Sequence, residues 1–476
     1  MGLYYREYYE KLKENFVFQP TEDQDKLLML IADYVFDDKS DDIFLIRGYA
    51  GTGKTSILSS LVKTLRNRNL PTVLMAPTGR AAKVLSAYSS FHASTIHRRI
   101  YFAATNSEGH LVLRLQKNKL KNAVFIIDEA SMIPDERNEA SKGGRALLDD
   151  IMEFVYSGEN CKLIFVGDVA QLPPVGLTVS PALNSTYLKN TYKNIIRKFE
   201  LTQVVRQQKE SGILANATRL RQIMISKNYD FPYFDIYGFK DIMRISSNEL
   251  LDEITSSYDN IGQDDTAIIT RSNKNANQYN KAIRNNILQR ENEIDAGDLL
   301  MIVKNNYFWL DQNSGGGFLA NGDLIEVMSI SNNEDILGFR FADIEARLID
   351  FPNEPTQKVK IILDTLESES PALTSEDNNR LYKTVTEKYM DIADKKIKLE
   401  KVKSDKYFNA LQIKYAFAMT CHKTQGGQWH TVFIDQGYIT RERIDLDYLR
   451  WMYTAITRAT KRVFLINFPD DIFVED

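Results

Sequence analysis

The stretch IFLIRGYAGTGKTSILSSLVKTL, residues 43 to 65, limits the possible folds more than any other part of the chain. An apolar run from Ile43 to Ile46 meets a glycine-rich turn. Ile57, Leu58, Leu61, Val62 and Leu65 then recur at helical spacing. Strand, glycine loop and helix in that order form a phosphate-binding loop. Its amides cradle phosphates, its lysine reaches the terminal ones, and the next hydroxyl holds magnesium. Gly48, Ala50, Gly51, Thr52, Gly53, Lys54, Thr55 and Ser56 are therefore the expected ATP-binding residues, with Mg2+ at Thr55.

Three more apolar runs, Val73 to Ala76, Val124 to Ile127 and Leu163 to Val166, end in PTGR, DEAS and GDVAQ. Buried parallel strands read as continuous apolar runs, and their ligands sit at the carboxyl ends. Asp128 and Glu129 end one of these strands, where one acid can reach the metal and its neighbour can orient or deprotonate water. The bland alternative is a solvated strand end. A second set of such strands comprises Ala267 to Ile269, the run ending at Thr420, Val432 to Ile434 and Val463 to Ile466. Two α/β sheets therefore share the chain.

Two segments break that pattern. YFAATNSEGHLVLRL reads as a hairpin around an Asn-Ser-Glu-Gly turn. Residues of about 298 to 364 alternate in polarity between glycine and asparagine turns, as a small antiparallel β module does. SEDNNRLYKTVTEKYMDIADKKIKLEKVK, which follows, reads as a charged, solvated helical arm.

A chain of 476 residues exceeds one core and calls for several domains. A net charge of −4 excludes a globally basic mode of nucleic-acid binding, so any such site must be a local groove. Two cysteines, Cys161 and Cys421, cannot build a disulfide framework, which points to a reducing compartment. The start, MGLYYREYYEKLKENF, lacks an apolar leader core, and no run approaches membrane-spanning length. A cytoplasmic protein with no membrane partner is expected.

FQPTEDQ, GYAGTGKT, APTGRAAKVL, STIHR, IIDEASM, GDVAQLPPVG, LTQVVRQ, YAFAMTCHKTQGGQW and YTAITRA follow one another from residue 18 to residue 459. In this order they resemble the motifs of superfamily 1 helicases, specifically the 1B group of RecD-like and phage Dda-like DNA helicases. The resemblance implies an α/β fold of two RecA-like P-loop domains. The first (1–98 and 121–200) would carry a β-hairpin pin at 99–120. The second (201–297 and 406–476) would carry an SH3-like β module with a helical arm at 298–405.

The resemblance also implies roles. Gln24 would sense adenine, although Thr21 to Gln24 equally fits a helix capping box. Gln171 would sense the γ-phosphate, and Arg206 and Arg458 would reach it from the second domain. Gln425 and Gly426 would face the nucleotide. Pro77, Thr78, Gly79, Thr95, His97, Asn305, Thr420, His422 and Lys423 would contact single-stranded DNA. His97 could instead be structural, and Tyr307 and Trp309 beside Asn305 could be barrel core rather than a stacking surface. A thiol-protease or metal reading of Cys421-His422 lacks a partner acid or second ligand pair.

The implied activity is a monomeric ATP-dependent DNA helicase moving 5′ to 3′ and acting at duplex junctions, with replication or repair proteins as partners. A protein-stripping translocase, an RNA helicase and a P-loop kinase or metabolic ATPase are the alternatives. Gln428 stands where RecD-like relatives often have an acid, so a ribose contact there is in doubt.

Overall fold

Six parallel strands collect around the one that leads into the glycine-rich turn. The computed structural model describes residues 2–474 except 38–41, 106–110, 136–144, 206–209, 228, 230–231, 307, 310–318, 337 and 352–353. The first strands are β1 (Ile43–Gly48), β2 (Thr72–Ala76), β3 (Ala93–Thr95), β4 (Tyr101–Thr105), β5 (Leu111–Leu115), β6 (Val124–Ile127), β7 (Lys162–Gly167) and β8 (Ile196–Leu201). The six-stranded sheet has the order β3-β2-β6-β7-β1-β8. Its apolar runs are buried on both faces. Phe44 and Ile46 of β1 pack with Leu27, Ile31, Leu58 and Leu61 on one side, while Ile43 and Leu45 pack with Leu148, Ile151 and Leu188 on the other. β4 and β5 form a separate antiparallel ribbon, anchored where the Tyr101 hydroxyl donates to Asp150 at 2.6 Å.

The remaining strands are β9 (Ile242–Ile245), β10 (Thr266–Thr270), β11 (Leu299–Ile302), β12 (Leu324–Ile336), β13 (Phe339–Leu348), β14 (Gln357–Ile362), β15 (Leu411–Tyr415), β16 (Ala418–Thr420), β17 (Trp429–Asp435) and β18 (Ala459–Ile466). A second parallel sheet has the order β16-β10-β17-β18-β9, and β11 to β15 close into a barrel.

The barrel takes its closing strand from beyond the boundary expected at residue 405. β15 pairs antiparallel with β11 and parallel with β14, and β16 then joins the second sheet beside β10. Both pieces are apolar, so periodicity alone does not divide them. The charged helical segment also differs from a purely solvated arm. Leu381, Val385 and Val402 from helices Ser375–Glu387 and Lys395–Lys403 bury against Phe339, Phe341 and Ile362 of the barrel. No helix among the described residues is long and apolar enough to cross a membrane.

Candidate nucleotide cleft and strand groove

The loop after β1 has the backbone its glycines permit. Gly51 and Gly53 take φ of +75° and +85°, a left-handed conformation that side chains resist. Thr52 is buried and donates its hydroxyl to the Tyr49 carbonyl at 2.8 Å. Lys54 Nζ donates to the Gly48 and Tyr49 carbonyls at 2.5 and 3.0 Å and lies 4.0 Å from an oxygen of Asp168. Thr55 is exposed and Ser56 half-buried in the first turn of helix Lys54–Asn67.

Gln24 satisfies both readings of its position. It closes the capping box, its side-chain oxygen accepting from Thr21 N at 2.9 Å, and its amide donates to the Thr52 carbonyl at 3.0 Å. A side chain on Gly53 would bring Cβ within 2.3 Å of that amide. The capping residue thus braces the loop as well as the helix.

Asp128 accepts from the Tyr88 hydroxyl at 2.6 Å and from Glu129 N at 2.9 Å. Glu129 holds a left-handed φ of +51°, a strained conformation for a residue other than glycine, at a candidate catalytic position. Burial pushes both carboxyls above their ordinary range; Lys54 draws both back, and Arg458 draws Glu129 back most. Asp168 accepts from Ala170 N at 2.9 Å and from the Tyr453 hydroxyl at 2.6 Å. Gln171 is buried, and its side-chain oxygen has no hydrogen-bond partner.

No group of three or more metal-ligating side chains occurs among the described residues. Magnesium needs no such cage, because one or two protein oxygens with nucleotide phosphates and water complete its shell. An exposed Thr55 hydroxyl and the Asp128 carboxylate are the hard oxygen donors that fit it.

The second sheet closes this cleft. Tyr453, on helix Leu446–Ile456, accepts from Ala50 N at 2.8 Å, so that loop amide faces the tyrosine in this structure. Leu172 N donates to Thr454 at 2.9 Å, and the Gln425 amide donates to the Leu172 carbonyl at 2.6 Å. Arg458 is buried, bonding the Thr454 carbonyl through Nε at 3.1 Å and the Gly427 carbonyl through Nη1 at 3.2 Å. The Arg206 expectation lies outside the described residues, although the nearby Val205 N donates to the Gly51 carbonyl at 3.1 Å.

Gln425 and Gly426, the two other expected nucleotide contacts, are engaged with the protein itself in this structure. Gln425 spends its amide on the Leu172 backbone. A Cβ on Gly426 would meet Ala81 at 2.8 Å and the Thr78 hydroxyl at 3.0 Å, because the turn packs on the strand-groove side. Tyr88 and Tyr453 were missed. The only available signal was the position of Tyr453 inside YTAITRA.

Pro77 is half-buried, and Thr78 caps helix Gly79–Ser89, accepting from Ala81 N at 3.2 Å. Gly79 lies beneath the barrel: a Cβ there would meet Asp323 at 2.4 Å and Phe351 at 3.3 Å. Thr95 is buried and accepts from Arg98 N at 3.2 Å, which makes it a helix cap rather than an open contact. Burial lowers the His97 pKa to about 4, so its ring is neutral at physiological pH.

Thr420 ends β16 half-buried, followed by exposed His422 and half-buried Lys423. Burial lowers Lys423 to about 8, and burial with the charge of Lys423 does the same to Lys414. Such a cationic pair favours an anionic backbone. Cys421 is buried with its thiol pushed up to about 12, which removes the thiolate that a nucleophile or metal ligand needs.

Asn305 accepts from Asn321 N at 2.7 Å, and Trp309 packs on the core while donating Nε1 to the Asn409 carbonyl at 2.7 Å. Both serve the barrel framework. Tyr307 lies outside the described residues. Across the groove, Arg80 donates to the Gln428 carbonyl at 2.7 Å and lies 4.0 Å from the Trp429 ring, tying the first sheet to the second.

The AAA domain family model matches residues 34–231, and the UvrD-like helicase C-terminal domain model matches residues 415–466. An uncharacterized protein of Acanthamoeba polyphaga mimivirus is 24% identical, covering 89% of this chain and 95% of its own. The ATP-dependent DNA helicase dda of Enterobacteria phage T4 is 26% identical over 54% of this chain and 55% of the relative. The ATP-dependent DNA helicase Pif1 of Psychrobacter sp. (strain PRwf-1) is 24% identical over 85% of this chain and 64% of the relative. The chain therefore spans less than two thirds of the length of either named helicase.

Proposed function

We infer that this chain, a member of the superfamily 1B helicases, is an ATP-hydrolysing DNA helicase that translocates on single-stranded DNA from 5′ to 3′. The observation that carries this reading is a cleft built from both sheets. Lys54, Asp128, Glu129, Asp168 and Gln171 come from the first sheet, and Tyr453 and Arg458 from the second. An arginine supplied by the second unit is typically worth on the order of 10³–10⁵ in rate, so hydrolysis depends on closure of the cleft. That dependence converts a chemical cycle into domain motion.

Lys54 and the loop amides hold the phosphates, and Thr55 with Asp128 would hold magnesium. Magnesium, when bound, neutralises charge developing between the β- and γ-phosphates. Glu129 receives the proton of the attacking water. Gln171 reports the γ-phosphate to Leu172, which the second sheet already grips through Thr454 and Gln425. The strand runs over Pro77, Thr78, Thr420, His422 and Lys423, where hydroxyls and lysines hold backbone phosphates without reading bases. Both halves of the cleft belong to one chain, so a monomer suffices. The β4–β5 ribbon serves as the pin that splits the duplex, and the barrel as an SH3-like module that steers the strand.

Strand displacement on duplexes carrying a 5′ or a 3′ tail, with ATPase followed with and without DNA, tests the proposal. Unwinding from 5′ tails is expected, and unwinding from 3′ tails alone would overturn the direction. ATPase indifferent to single-stranded DNA would return the chain to the metabolic ATPases, and stronger stimulation by RNA oligonucleotides would make it an RNA helicase. Removing residues 106–110 should abolish unwinding while DNA-stimulated ATPase survives. Unwinding unaffected by that deletion would show that the ribbon is not the pin, and DNA-stimulated ATPase without any unwinding by the intact chain would mark a protein-stripping translocase.

A further inference from the structure

A chamber of about 330 Å³ opens beside the cleft, on the far side of Asp168. Asp168 forms part of its wall and lies 4.0 Å from Lys54 Nζ, so the chamber adjoins the phosphate-binding loop. Ser131 and Gln171 also line it. Both are more than nine-tenths buried, at 1% and 6% exposure, and Ser131 Oγ and Gln171 Oε1 have no hydrogen-bond partner. Leaving a buried polar atom unpaired costs about 1–3 kcal/mol, so a small rotation of either side chain toward a polar guest in the chamber would be favoured.

Two guanidiniums complete the wall. Arg47 ends β1 in the first sheet, and Arg450 sits on helix Leu446–Ile456 of the second. Each spends one nitrogen on a carbonyl, Arg47 on Leu183 and Arg450 on Thr178. The Nε of each is buried without a hydrogen-bond partner, and neither arginine forms an ion pair among the described residues. Against these two positive charges stand Asp168, whose oxygens already accept from Tyr453 and Ala170, Glu200 near Arg47 and Asp447 near Arg450. The chamber is therefore polar, presents a guanidinium from each sheet unit, and is walled by both. The Thr186 amide in its rim is taken by Asn184, which leaves the guanidiniums as the main donors of the wall.

We propose that this chamber receives the inorganic phosphate released by hydrolysis and is its route out of the cleft. The proposal rests on the ATPase reading above. Cleavage of ATP by water leaves ADP on the loop and a free phosphate dianion beside Gln171. Guanidiniums match phosphate oxygens bidentately, and Arg450 arrives only as the second sheet closes. Cleft closure would then build the product's exit as well as the catalytic site.

Two variants test this in the full chain: Arg450→Gln removes one charge, and Val179→Trp plugs the chamber at a residue that is 50% exposed. ATP cleavage is measured by rapid chemical quench, and phosphate release by a fluorescent phosphate sensor, both with an oligothymidine strand. Cleavage of the first ATP should stay within about twofold of the unaltered chain, while phosphate release slows roughly tenfold in each variant. Cleavage and release slowing together, or neither changing, would overturn the proposal. So would lost affinity for the strand with release unchanged, since that outcome gives the chamber to a backbone phosphate.

Orthophosphate titrated onto the ADP-bound chain gives a readout independent of turnover. Binding should weaken roughly tenfold in Arg450→Gln and vanish in Val179→Trp, and equal binding by all three chains would overturn the chamber. An unaltered chain that binds orthophosphate but cleaves no ATP would overturn both the motor reading and the exit route built on it.

Discussion

Tyr453 donates its hydroxyl proton to Asp168 at 2.6 Å and accepts from Ala50 N at 2.8 Å, joining the second sheet to the phosphate loop and to the end of β7 beside it. Burial and the neighbouring Asp168 charge raise its phenol far above the ordinary range, so it remains a donor at every working pH. Tyr453→Phe should cost about 1–3 kcal/mol in urea unfolding, because it leaves the buried Asp168 carboxylate short of a partner. It should also reduce the stimulation of ATPase by DNA. Unchanged stability would mean that Asp168 finds another donor.

Lys54→Ala and His422→Ala should separate chemistry from coupling. The first should lower turnover by at least about 10²-fold with or without DNA. The second should keep DNA-free ATPase and raise the DNA concentration needed for half-maximal stimulation. Equal loss of basal ATPase in both would contradict the assignment of His422 to the strand groove.

The contrast between those two residues shows what the sequence could reveal. The phosphate loop was legible because its chemistry is packed into adjacent positions, and the apolar runs before PTGR, DEAS and GDVAQ were legible because buried parallel strands are apolar throughout. Tyr453 was not, since its partner Asp168 lies 285 positions away and only the folded chain pairs them. The division between β15 and β16 was hidden for another reason: a barrel strand and a buried sheet strand share one composition. Thr95 was legible as a residue but not by role, because a hydroxyl can cap a helix as readily as it can meet DNA, whereas the core position of Trp309 was among the readings its β module allowed.

Arg458 holds two backbone carbonyls while its charge draws the Glu129 carboxyl down. Arg458→Lys should not rescue function, since an ammonium cannot span the fork that a guanidinium does. DNA-stimulated kcat should fall on the order of 10³-fold in both Arg458→Lys and Arg458→Ala, with ATP binding by equilibrium dialysis little changed. Wild-type turnover in the lysine variant would show that Arg458 acts only as charge.

Asp323 lies between the barrel and the first sheet, 4.0 Å from Arg98, and accepts from Ala320 N at 2.8 Å. Burial raises it to about 7, with Arg98 pulling down and Asp350 pushing up. A carboxyl whose folded pKa exceeds its unfolded one stabilises the protein fully below the unfolded pKa, and that contribution is lost as pH rises through the folded value. Stability should therefore fall by up to about 1.4 kcal/mol per unit between roughly pH 4 and 7 from this group. Asp323→Asn should flatten that slope in urea midpoints measured across the range. An unchanged slope would place the titration elsewhere.

Only Ala416 and Phe417 separate the last barrel strand from the first strand of the second sheet's groove edge, and Phe417 is wholly buried, its carbonyl accepting from Ile268 N at 3.1 Å. A joint that short has no slack. A swing of the barrel would have to carry Thr420, His422 and Lys423 with it, so on the proposed reading the barrel would act as a lever arm on whatever those residues hold.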